Sequence, residues 1–119
     1  MQAQIKKNNA AQEFETVERC AILEVANDAD DREVSIARAR VKPGITTAWH
    51  KLTGITERYL IVSGQGHVEL ADMEPVVVCE GDVVRIPAGT AQRITNTSEV
   101  DLIFYAICSP RFQQCYYVA

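Results

Sequence analysis

Two stretches decide the fold: GITTAWHKLTGITERYLIVSG at residues 44–64 and GDVVRIPAGTAQRITN at residues 81–96. Both set short apolar runs between turn residues. Gly44, Gly64, Gly81 and Gly89 stand where a chain of short strands must turn, and some of those turns need the positive φ that only glycine adopts without strain. Pro87 restricts φ just ahead of the turn at Gly89. Asn96 lies in the polar run Thr95-Asn96-Thr97-Ser98, where a carboxamide bonds backbone groups.

Working outward, short apolar runs punctuated by turn clusters cover the chain from Cys20 to Cys108, the mark of an all-β protein. Runs at 20–26, 33–42, 48–52 and 57–63 come first. His67–Leu70 and Val76–Cys79 form a natural hairpin across Ala71–Pro75. Runs at 83–86, 92–95 and 102–108 follow. Nine runs at this spacing would close, or nearly close, a small antiparallel β-barrel and so remove exposed strand edges. The expected organisation is a polar N-terminal arm over 1–18, the barrel over 19–109 and an aromatic tail over 110–119. Ala10–Arg19 has no convincing apolar face for a helix. The tail carries Phe112, Tyr116, Tyr117 and Val118; it is too apolar to stay solvated and should pack on the barrel or on a second subunit.

Composition narrows the function classes. A chain of 119 residues fits one domain, large enough to bury a core without staples. A net charge of −4 with no run of Lys and Arg argues against nucleic acid as a partner. The opening MQAQIKKNNAAQEF lacks the apolar stretch of a signal peptide, and no window is long enough to span a membrane, so a cytoplasmic protein is expected. The cysteines at 20, 79, 108 and 115 form no Cys-x-x-Cys pair. Those at 20, 79 and 108 lie in apolar runs and read as buried, reduced hydrophobes, with Cys115 the most exposed.

The two opening stretches resemble the paired motifs of the cupin superfamily. The first of those runs Gly, five residues, His, one, His, three or four, Glu, six, Gly. The second runs Gly, five, Pro, one, Gly, two, His, three, Asn. Gly44, His50, Glu57, Gly64, Gly81, Pro87, Gly89 and Asn96 match in order and spacing, and the resemblance spans residues 34–109. It implies a small single-domain cupin: a jelly-roll-like double-stranded β-helix, with a homodimer formed through a sheet face. In metal-binding cupins the two first-motif histidines, the glutamate and the second-motif histidine hold a divalent ion. Here Leu52 stands at the second histidine position and Gln92 at the last.

Side chains alternate along a strand, so Leu52 projects beside His50 as an apolar wall. The remaining donors are His50, Glu57 and Gln92, one nitrogen and two oxygens. This set departs from the two-His, one-carboxylate arrangement and holds transition metals more weakly. A divalent ion (Mn, Fe, Zn or Ni) on these three residues is one reading, with His50 and Glu57 as proton-transfer groups and Gln92, Tyr59 and Leu52 against the substrate. The other is a metal-free polar cluster in which His50 and Glu57 pair and Gln92 bonds the second ring nitrogen. Tyr59 and Ile61 share the face of Glu57, while Trp49, Arg58 and Arg93 alternate away from the site residues. Arg38 and Arg40 oppose Ala37, Ala39 and Val41. They face solvent or a partner if the apolar set faces the core, and the pocket if the phase is reversed.

Three functions stay open. One is an enzyme acting on a small polar metabolite, weakly metal-dependent through His50, Glu57 and Gln92. Another is a non-catalytic small-molecule-binding or sensing cupin without metal. The last is a degenerate barrel kept for its surface. The missing ligands argue against oxygen chemistry, and so versatile a scaffold does not choose among the rest.

Overall fold

The structure is a computed structural model and describes residues 1–119. Its strands are β1 (Phe14–Glu15), β2 (Ala21–Ala26), β3 (Ser35–Val41), β4 (Lys51–Leu52), β5 (Thr56–Ser63), β6 (Gln65–Leu70), β7 (Val76–Cys79), β8 (Val83–Ile86), β9 (Gln92–Asn96), β10 (Leu102–Ser109) and β11 (Tyr117–Val118). The nine apolar runs all carry strands, with bounds shifted by a few residues. Single 3₁₀ turns lie at Ala10–Gln12 and Gln114–Tyr116. No helix is long and apolar enough to cross a membrane.

The strands form three open sheets. Six lie in the order β1-β2-β3-β10-β5-β8, three in the order β7-β6-β9, and β11 pairs with β4. Every pairing is antiparallel. No sheet closes into a barrel, which corrects the closed barrel and jelly roll expected from run spacing and motif frame. Closure needs a continuous hydrogen-bonded ladder between sheet edges. The connection before β4 instead meets β9 at two isolated bridges, Thr46↔Thr95 and His50↔Gln92. β7 and β8 are neighbours in sequence but edge strands of different sheets. Those edges are short, two residues at β1 and four each at β7 and β8, one of the devices that limits edge pairing between molecules.

One core fills the space between the six-stranded and three-stranded sheets. Ala39, Val41, Tyr59, Ile61, Leu102 and Phe104 enter from the first, Val68, Val78 and Ile94 from the second. The phase of β3 follows, with Ala39 and Val41 buried. Arg38 and Arg40 lie on the other face, where both pair with Glu13, and Arg40 also reaches Asp101 at 3.2 Å. Trp49 is partly exposed under the Arg93 guanidinium, 4.7 Å from its ring centroid. His67 is exposed. All four cysteines are free. Cys79 is exposed rather than buried, because its alternation along β7 turns Val78, not Cys79, to the core.

The motif residues do structural work. Gly64 has φ +85°, and a Cβ there would stand 2.8 Å from the Asp101 carbonyl oxygen. Asn96 is fully buried. Its Nδ2 donates to the Val41 and Val100 carbonyls, each at 2.8 Å, and its Oδ1 accepts from the backbone N–H and hydroxyl of Ser98. This one side chain therefore ties the ends of β3 and β9 to the loop before β10. In the turn after β8, Gly89 N–H donates to the Leu52 carbonyl at 2.8 Å.

Both flanks of the chain return to the sheets. β1 pairs with β2. Beyond β10, Phe112 N–H donates to Ser35 Oγ and β11 pairs with β4 through Tyr117↔Leu52. Phe112 and Tyr117 pack against a small second core of Leu52, Ile55 and Cys108.

Candidate functional site

The two isolated bridges place the site. His50 and Gln92 exchange backbone hydrogen bonds, His50 N–H to the Gln92 carbonyl at 3.2 Å and Gln92 N–H to the His50 carbonyl at 2.8 Å. Glu57 and Tyr59 sit two residues apart on the inward face of β5. Sequence-distant residues thus converge on one wall. Gln92 Nε2 donates to Glu57 Oε1 at 2.7 Å, and the Tyr59 hydroxyl donates to Gln92 Oε1. Cys108 Sγ lies 3.8 Å from Glu57 Oε2 as a weak donor. Gln92 is only 1% exposed, so the middle of this hydrogen-bonded run is sealed from solvent.

The His50 ring takes a different partner from the two considered from sequence. Its Nδ1 lies 2.9 Å from the Ala48 carbonyl oxygen and 3.0 Å from Glu18 Oε2. Glu18 comes from the segment before β2. Neither Glu57 nor the Gln92 side chain bonds the ring, which is the correction to the triad expected from spacing. Tyr117 stacks on the ring, with centroids 5.2 Å apart and planes 17° apart. Since both neighbours of Nδ1 are acceptors, Nδ1 carries the ring proton. Nε2 has no partner within the chain, although His50 is only 7% exposed.

The electrostatics follow from burial and these partners. Burial pushes the Glu57 carboxyl above the ordinary range, opposed by the Gln92 amide and the His50 charge. At His50 burial acts to lower the pKa, but the hydrogen bond and charge of Glu18, with the Ala48 carbonyl, outweigh it and hold the pKa above the usual histidine value. Burial raises the Tyr59 hydroxyl well above its normal value and raises the Cys20 thiol to about 11. Tyr59 and Cys20 therefore remain protonated and neutral at physiological pH.

A cavity of about 160 Å³ opens beside this wall. Glu18, His50, Leu52, Glu57, Phe112 and Tyr117 are among its lining residues. A smaller pocket of about 50 Å³ shares Glu18, His50 and Glu57 with it and adds Tyr59 and Phe104. Of the sequence candidates, His50 and Glu57 line both, Leu52 lines the larger cavity, Tyr59 the smaller, and Gln92 neither. Glu18 and Tyr117 were not foreseen. Their only signals in sequence were a glutamate in a polar arm and a ring in an aromatic tail.

The donor set does not fit a metal ion. Both Gln92 amide atoms are engaged, the oxygen by Tyr59 and the nitrogen by Glu57. Glu57 is held by Gln92 and Cys108, Leu52 offers no lone pair, and His50 Nδ1 is turned to Glu18. No group of three or more His, Cys, Asp and Glu side chains is placed to share an ion. Of the two readings the sequence leaves open, a divalent ion on His50, Glu57 and Gln92 finds no preformed cluster here: each polar group meets another side chain instead of converging on one point.

No curated protein matches the chain. Among solved structures, KdgF from Halomonas sp. superposes with a TM-score of 0.78 at 18% identity, covering 92% of this chain and 96% of the other. A predicted oxalate decarboxylase from Thermotoga maritima gives 0.74 at 21% identity, covering 87% and 98%. A histidine-to-glutamine variant of Streptomyces PAC13 with uridine gives 0.78 at 17% identity, covering 97% and 90%. At these identities the likeness is one of fold. The Cupin domain model matches residues 37–108. That segment runs from β3 to β10 and contains both glycine-framed motifs, the His50–Gln92 bridge and the buried Asn96, and with it the chain belongs to the cupin superfamily.

Proposed function

We propose that the protein is a metal-independent small-molecule-binding cupin, with the cavity beside His50 as its ligand site. One observation carries this reading. The positions that would ligate a metal are engaged with each other or replaced by leucine, yet His50 Nε2 is left without a partner beside an open cavity of about 160 Å³. An imidazole nitrogen left open in a side chain that is otherwise 7% exposed is available to a ligand rather than spent on the fold. Concave sites with few polar groups on apolar walls are where small ligands bind. The structure with uridine shows a relative in fold presented together with a small polar molecule. His50, Glu57 and Tyr59 act in this reading as binding and orienting groups, with Leu52 as an apolar wall and Gln92 as the support of Glu57.

A homodimer fits the exposed apolar side chains Val76, Val77 and Val83 on the edge strands β7 and β8. The four free thiols favour a reducing compartment, in line with a cytoplasmic protein.

Elemental analysis of protein made without a metal-binding tag tests the reading together with native mass spectrometry. Substoichiometric metal and an organic adduct lost on His50→Ala are expected. One tightly held ion per chain, released by His50→Ala, would refute it.

A further inference from the structure

Resting on that ligand-binding reading, we propose that the cavity selects a flat, single-ring organic cation, held by acceptors on the Glu18, His50 and Glu57 side. Size comes first. A cavity of roughly 150 Å³ accommodates benzene, and this one measures about 160 Å³. Shape agrees, since the Tyr117 ring already stacks on the His50 imidazole and Phe14 and Phe112 complete an aromatic wall. Charge then separates the ligand classes. The fifteen lining residues include Glu18, Glu24 and Glu57 and no Lys or Arg. The arginines of β3 lie on the opposite face of the sheet, held by Glu13 and Asp101.

His50 supplies the atom that points to a ligand. With Nδ1–H fixed between the Ala48 carbonyl and Glu18, the neutral ring presents an Nε2 lone pair. The side chain is nine-tenths buried and Nε2 finds no donor in the chain. An anion would face three carboxyl groups, with His50 the one lining residue able to carry a positive charge and that charge already met by Glu18. An amidinium or ammonium group meets acceptors throughout, and charge-assisted hydrogen bonds to carboxylates are the stronger kind. Ser35 and Gln114 add only neutral groups to the lining.

The same arrangement fixes the sign of the pH dependence. The titratable groups facing His50 are Glu18 ahead of β2, Cys20, Glu57 and Tyr59 of β5, Cys108 of β10 and Tyr117 of β11. Protonation of the Glu57 carboxyl removes an acceptor, and protonation of His50 removes its lone pair and adds a positive charge. Affinity for a cation therefore rises with pH.

Three rings of one shape and different charge make the test: benzamidinium, benzamide and benzoate. Each is titrated into the full chain at about pH 8 with backbone amide resonances as the readout. Benzamidinium is expected to shift His50, Leu52, Ala106 and Tyr117 with a Kd at least about tenfold below that of benzamide, as one charge-assisted hydrogen bond predicts. Benzoate is expected to leave those resonances in place, and benzamidinium to weaken at about pH 5.5. Glu18→Gln is expected to weaken benzamidinium about tenfold more than benzamide. Binding of benzoate, or equal binding of benzamide and benzamidinium, would overturn the charge assignment and leave the binding reading standing. Failure of all three probes to move cavity residues would overturn both. The wild-type series decides the question even if the variant does not fold.

Discussion

The hydrogen-bonded chain from Tyr59 through Gln92 to Glu57 can be dissected by its energetics. Tyr59→Phe removes the donor to Gln92 Oε1, and Gln92 is 1% exposed, so no water replaces it. An unsatisfied buried acceptor costs about 1–3 kcal/mol. With a urea m-value of about 1.5 kcal/mol/M, a loss of ~2 kcal/mol moves the midpoint by about 1.3 M. Gln92→Leu is nearly isosteric and strands two groups, the Tyr59 hydroxyl and Glu57 Oε1, for about 2–4 kcal/mol. In the double variant the hydroxyl is already gone, so only Glu57 is left short. The two changes should therefore combine sub-additively, by the cost of two stranded groups, about 2–4 kcal/mol. Urea melts of wild type, both single variants and the double variant measure that coupling. Additivity within about 0.5 kcal/mol, the behaviour of independent sites, would refute the chain as described.

Three further outcomes follow. Asn96→Ala takes the side-chain partner from the Val41 carbonyl and the Ser98 N–H, while the Val100 carbonyl keeps the Ser98 hydroxyl; a loss of at least about 2 kcal/mol is expected in urea melts. The Glu18–His50 pair raises the folded-state pKa of His50 above its unfolded value of about 6.5. Its stabilisation is thus fully present below about pH 6.5 and lost as pH rises through the higher folded value. The difference in stability between wild type and Glu18→Gln should shrink at alkaline pH, and imidazole NMR should show the pKa of His50 falling in the variant. Leu52→His combined with Gln92→His restores the imidazoles missing from the motif frame. This variant should retain about one Zn²⁺ or Ni²⁺ per chain after dialysis, by elemental analysis, where wild type retains none.

How much was legible in advance depended on whether a property is local. Turn residues and alternation act within a few positions, so strands β2 to β10 were readable, as was the face of Glu57, Tyr59 and Ile61. The spacing of Gly81, Pro87, Gly89 and Asn96 carried the second motif, and Asn96 meets backbone groups as its turn composition implied. Sheet closure was misjudged because strand count and spacing say nothing about how ladders join. The stretch around Thr46 and His50 touches β9 at two bridges rather than along a ladder. The partner of His50 was misjudged for a related reason. Glu57 is close in the motif, but the ring turns to Glu18, thirty-two positions earlier and in a segment with no strand pattern of its own. Leu52 and Gln92 were legible as departures from a metal set. That Tyr59 would occupy the Gln92 oxygen was not, since it depends on the depth at which two strands face each other across the core.

The cavity draws Glu18 from ahead of the first motif strand and Tyr117 from beyond the last, while the motif-bearing strands supply His50 and Glu57. Scaffold and selectivity are thus written in separate parts of the sequence. Exchanging the two flanking segments between cupins of this size is accordingly a route to regrafting ligand preference onto an unchanged framework, and comparing relatives by their motifs alone would group together proteins that recognise different molecules.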